Sequence, residues 1–161
     1  MAFKNFPSEL LVTIQQTTGV NCLGEITYSG NQFPLDTIGL CLYAQSLASA
    51  GGSETLQIII YNDDNYSDVY ASSDVVKVAD VVEGTTNWIG MVGFKFSSLP
   101  NINDSQTYYA GMVAANYTRS DPFYLSAVYD WPLSRNNQTD ASEPGVWMEL
   151  YGYQDLDDIH R

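Results

Sequence analysis

The stretch "LQIIIYNDDNYSDVYASSDVV", residues 56–76, holds the densest group of side chains that could do chemistry. Asp63, Asn65, Ser67 and Asp68 set hard oxygen donors at close spacing, the ligands a calcium ion collects when it takes about 6–8 oxygens. The stretch is not an EF-hand loop, because it lacks the central glycine and the closing bidentate glutamate. Asn and Asp are also favoured in tight strand connections, where they tolerate the left-handed region and bond their own backbone. The same residues therefore read as a weak calcium loop or as a polar turn, and no other cofactor is indicated.

A second constellation is aromatic, in a chain with 12 Tyr and 3 Trp. Trp131 stands where "AVYDWPLSRNNQTD" leaves an apolar run for a long polar loop. Exposed rings lie against the C–H faces of sugars while neighbouring Asn, Asp and Arg read the hydroxyls. Tyr66, Tyr70, Tyr129 and Trp131, with Arg135, Asn136 and Asn137, form a candidate glycan site on that logic. The competing reading is packing. Trp131 could cover the end of the core or meet a neighbouring subunit, since Trp and Tyr are enriched at both kinds of surface.

Catalytic arrangements find little material. The single histidine, His160, is the penultimate residue, a poor place to hold a base rigidly against a nucleophile. One His and two Cys cannot fill a four-ligand zinc site without carboxylates. No glycine-rich loop leads from a strand into a helix to cradle phosphate. Carboxylate pairs remain, because the chain has 19 acidic residues, but most sit in turns where nothing would shift their pKa. Only Glu149 lies in an aromatic context. The expectation is a protein that is not an enzyme, with a small glycoside hydrolase ranked third among the functional readings.

Those acids face six Lys and Arg, for a net charge of −13. Such a surface repels nucleic-acid phosphates and anionic membranes alike. No apolar run nears the roughly 20 residues of a spanning helix, and "MAFKNFPSELLVTIQQTTG" has no apolar stretch of signal-peptide length. Neither nucleic acid nor membrane is expected as a partner, and no secretion signal is read. Cys22 and Cys41 fall in different segments, and without such a signal two free thiols are expected at least as readily as a bridge.

The elements that must position these residues alternate with a period of two. "TNWIGMVGFKF" sets Trp88, Gly90, Val92, Phe94 and Phe96 on one face, with Met91 and Lys95 on the other. "TIGLCLYA" gives Ile38, Leu40 and Leu42, and "LQIII" gives Leu56, Ile58 and Ile60. Further strands are expected over 9–15, 74–82, 107–116, 123–130 and 146–153, separated by turn clusters such as "YSGNQFP", "NDDN" and "LPNINDSQ". This is an all-β chain: an antiparallel β-sandwich (jelly roll) of about eight or nine strands. Residues 1–35 read as an irregular N-terminal arm and first strand, 36–153 as the sandwich, and 154–161 as an acidic tail.

Three stretches carry a resemblance. "LQIIIYNDDNYSDVYASSDVVKVADVVEGTTNWIGMVGFKFS" resembles the middle of the jelly-roll, galactose-binding-like domains of many bacteriophage and bacterial surface proteins. There a strand ending in Tyr-Asn meets a polar loop, a Ser-Ser step, a Val-rich strand and a "W…F.F" strand. "LPNINDSQTYYAGMVAA" and "YLSAVYDWPLSRNNQTDASEPGVWMELYGY" are similar to the strands that follow. The similarity runs over residues 36–153 and lies in strand endings, not in a catalytic signature. It implies a non-catalytic domain that binds sugars, decorates capsids or builds tail and head fibres. The leading expectation is a bacteriophage virion structural protein that meets capsid or tail proteins in a homo-oligomer or multi-copy assembly, and can grip host polysaccharide. A carbohydrate-binding module of a bacterial surface or secreted protein is the alternative.

Overall fold

The structure is a computed structural model that describes residues 11–14, 20–45, 53–81, 88–116, 124–128 and 148–153. In chain order its elements are β1 (Leu11–Ile14), β2 (Asn21–Thr27), β3 (Phe33–Gln45), β4 (Thr55–Tyr61), β5 (Val69–Ser72), β6 (Val76–Lys77) and the single helical turn α1 (Val78–Val81). They are followed by β7 (Trp88–Lys95), β8 (Asn101–Ile102), β9 (Thr107–Ala115), β10 (Tyr124–Val128) and β11 (Met148–Gly152). Two antiparallel sheets pack face to face, so the fold is an all-β sandwich.

The first sheet is organised around β3. β7 pairs with Thr37–Ala44 along one edge, while β11 and then β10 pair successively along the other. β1 closes the sheet against β10. The second sheet runs β2-β9-β4-β5, with the two-residue β6 continuing the β4 edge beyond β5. The short β5 and β8, together with β2, raise the strand number above the expected eight or nine.

The core lies between the sheets and follows the alternation. Ile38, Leu40 and Leu42 of β3, Leu56, Ile58 and Ile60 of β4, and Val92, Phe94 and Phe96 from β7 and its end are all buried. β9 adds Tyr108, Ala110 and Met112. Each large apolar side chain taken from water stabilises by about 1.5–3 kcal/mol, which is why a strict period of two holds each strand to one register. The side chain of Trp88 lies outside the described residues.

The segment read as arm and first strand contributes β1, β2 and the first residues of β3, and β2 carries Leu23 and Ile26 into the core. Its alternation is hidden by a bulge. Cys22 opposes Gly111 while Gly24 opposes Ala110, so Leu23 is an extra residue that turns inward. A strand expected over 74–82 is cut short. β6 pairs with Thr55 and Leu56 at the start of β4, and the Val78 amide then bonds the Glu54 carbonyl. Beyond that point β4 offers no further ladder, and the chain winds into α1 with Val78 buried.

Candidate functional site

The acidic stretch that opened the question joins β4 to β5, and it is a closed turn. The Asn62 amide bonds the Asp68 carbonyl at 2.8 Å, and the Tyr66 amide reaches the Asp63 carbonyl at 3.3 Å. Inside it, one carboxylate oxygen of Asp63 accepts from the amides of Ser67 at 3.0 Å and Asp68 at 2.8 Å. The other accepts the Ser67 hydroxyl at 2.6 Å. The Asn62 side-chain amide donates to the Asp68 carboxylate at 3.2 Å, and Asn65 stands exposed at the tip. The Ser67 hydroxyl, followed by the Asp68 and Ser67 amides, holds the Asp63 pKa below its ordinary value. Among the described residues no three His, Cys, Asp or Glu gather closely enough to hold a metal ion.

Tyr66 is bent back from this turn in the left-handed region, at φ 55°. For a bulky side chain that conformation costs about 1–2 kcal/mol, and packing on the outer face of the second sheet offsets it. The ring meets Tyr61 edge-on at 5.2 Å between centroids and Tyr109 at 6.3 Å. Gly111 of β9 makes the room. A Cβ there would sit 3.3 Å from the Tyr66 and Tyr61 rings and 2.4 Å from Val20. The Tyr66 hydroxyl is buried without a hydrogen bond among the described residues. Burial first, and then the neighbouring Cys22, Glu25 and Tyr109, push its pKa well up, so it stays a neutral phenol.

Tyr70 goes to the other face of the same sheet. Val69 opposes Tyr61 and Ala71 opposes Ile60, which leaves Tyr70 as the extra residue of a bulge that turns it inward. Its ring packs at 5.0 Å on the buried Tyr108, and its hydroxyl donates to the Asn101 carbonyl at 2.6 Å. Tyr66 and Tyr70, grouped by sequence, therefore rest on opposite faces. Tyr129, Trp131, Arg135, Asn136 and Asn137 lie outside the described residues.

The "Ser-Ser step" has a structural task. The Ser73 hydroxyl accepts from the Ile58 amide at 3.0 Å, and the Ser73 amide bonds the Ile58 carbonyl, so Ser73 extends the second sheet. One residue on, the Asp74 amide bonds the Lys95 carbonyl of the first sheet, and its carboxylate accepts the Ser97 hydroxyl at 2.6 Å. Two consecutive residues tie the two sheets together.

A surface that sequence reasoning did not assemble lies on the outer face of the first sheet. Gly39 and Gly93 oppose each other across β3 and β7, and Glu149 of β11 opposes Gly39 from the other side. In the next row Thr37 lies between Lys95 and Tyr151. Met91 and Tyr151 lean over Gly39, whose Cβ would meet them at 3.3 and 3.4 Å. They remain 49% and 50% exposed. The Tyr151 hydroxyl donates to the Glu149 carboxylate, a contact that fixes the ring and raises the phenol pKa. The signal available in sequence was glycine at outward positions of β3 and β7, where a face is left flat.

The arrangement defines an all-β sandwich with one stapled acidic loop and one flat, partly apolar outer face. No protein-family pattern matches the chain, and no curated protein is similar to it.

Proposed function

We propose that this chain is a non-catalytic structural protein of a bacteriophage virion, a capsid-decoration, head-fibre or tail accessory of jelly-roll type. The observation that carries the reading is strand order. One sheet interleaves early and late strands as β1-β10-β3-β7, with β11 beside β10 along the same edge of β3, and the other runs β2-β9-β4-β5. Such interleaving supports a double-sheet jelly roll, an architecture shared by viral capsid and lectin domains. The chemistry of the described residues agrees with a contact role. Its clustered oxygens and hydroxyls are engaged in holding turns and joining sheets. The acidic exterior keeps many copies soluble before they are incorporated.

The test is mass spectrometry of density-purified virus particles from the source. The chain is expected in fixed stoichiometric ratio to the major capsid or tail proteins. Its absence from particles overturns the reading, and a glycan array comparing the chain with Trp131→Ala then examines the carbohydrate-binding alternative. In that event a glycan site would have to be built from Tyr129 to Asn137, since Tyr66 and Tyr70 do not share a face.

A further inference from the structure

We propose that the outer face of the first sheet is a self-complementary interface, through which two copies of this chain pack β7, β3 and β11 against the same three strands. The proposal deepens the assembly reading and rests on it only in taking the chain to be a multi-copy component.

Charge distribution selects the occupant. The chain carries −13 overall, yet the described outward positions of this face, Thr37, Gly39, Cys41, Met91, Gly93, Lys95, Glu149 and Tyr151, bear one cation and one anion, with the Asp36 carboxylate held by the Thr37 hydroxyl at the rim. Lys77 and Lys95 are the basic side chains among the described residues, and Lys95 is placed here. The outer face of the second sheet differs. It carries Glu25 and lies under the loop of Asp63, Asp64 and Asp68. A strongly basic partner would be drawn to that acidic side. A second equally acidic copy can approach closely only where the surface is neutral, because charges farther off than about 8–10 Å are screened by salt.

Relief and register supply the fit. Gly39 lets the half-exposed Met91 and Tyr151 lie flat over the centre of the face, where they supply apolar area. A two-fold axis laid along β3 maps the β7 column onto the β11 column. Lys95 of one copy then faces the Tyr151 ring of the other beside Glu149, and the same contact is made in reverse. On the axis itself Cys41 meets Cys41. Glu149 is suited to the pairing, since among the described residues its carboxylate has only the Tyr151 hydroxyl as partner.

Sedimentation velocity of the purified full chain, from micromolar to sub-millimolar concentration, is the test. A monomer–dimer equilibrium is expected. Lys95→Glu and Glu149→Lys singly should each raise the dimer Kd by about tenfold or more, because each sets like charges against each other. The double variant Lys95→Glu/Glu149→Lys should restore it. Thermal melts confirm that each variant is folded. Independently, a short bismaleimide should link wild type and Cys22→Ser into dimers through Cys41, and should leave Cys41→Ser monomeric. A chain that is monomeric throughout, a Kd unmoved by both single reversals, or links carried by Cys22 would overturn the proposal. None of these results bears on whether the chain is present in particles.

Discussion

At the scale of single residues, Asp63 and Tyr66 show how polar and aromatic groups are engaged by the turn that holds them. Asp63 accepts three bonds from Ser67 and Asp68, and these are worth most when its carboxylate is charged. Its folded pKa lies below the ordinary 3.8. The stabilisation it gives is therefore fully present above that value and is lost as pH falls through the lowered one. The amide resonances of Ser67 and Asp68 should titrate together in an NMR pH series, with a midpoint below 3.8. Asp63→Asn should abolish that titration. A midpoint at or above the ordinary value would mean that the carboxylate does not hold the turn.

At the scale of elements, bulges and outward glycines decide which side chains reach which face. Gly111 and Gly93 both sit on outer faces, but their surroundings differ. A Cβ at Gly111 would meet Val20 at 2.4 Å, whereas one at Gly93 meets only the Thr37 methyl at 3.3 Å. Alanine in place of a strand glycine gains about 0.5–1 kcal/mol from backbone entropy. Overpacking at Gly111 should outweigh that gain, with a cost of about 1–3 kcal/mol. Urea unfolding is therefore expected to show Gly111→Ala destabilised and Gly93→Ala close to wild type. Equal midpoints for the two variants would refute the tight seat assigned to Tyr66.

At the scale of the molecule, stability rests on one core shared by both sheets. Phe94 of β7 is fully buried among residues of that core. Phe94→Ala should cost about 3–5 kcal/mol, a large part of the roughly 5–15 kcal/mol that holds a domain together. Chemical denaturation should report a lower midpoint with little change in slope, and a loss below 1 kcal/mol would show that this position is not central to packing. The sandwich also explains the thiols. Cys22 opposes Gly111 on the outer side of the second sheet and Cys41 opposes Met91 on the outer side of the first, so both are free and the core lies between them.

The amino-acid sequence by itself determined which strand residues point inward. Ile38, Leu40, Leu42, Leu56, Ile58, Ile60, Val92 and Phe94 are legible because alternation is a property of one extended strand and needs no partner. It also marked residues 62–68 as a turn, because Asn, Asp and Ser bond their own backbone locally. The tertiary structure alone decided what depends on neighbours. Residues 78–81 coil because β4 begins at Thr55 and leaves them nothing to pair with. Tyr70 and Leu23 turn inward because bulges against β4 and β9 shift the local register. The neutral face of Gly39, Met91, Gly93, Lys95, Glu149 and Tyr151 exists only because backbone hydrogen bonds bring three distant strands side by side. Pairing of that kind is set by non-local contacts, which no single segment encodes.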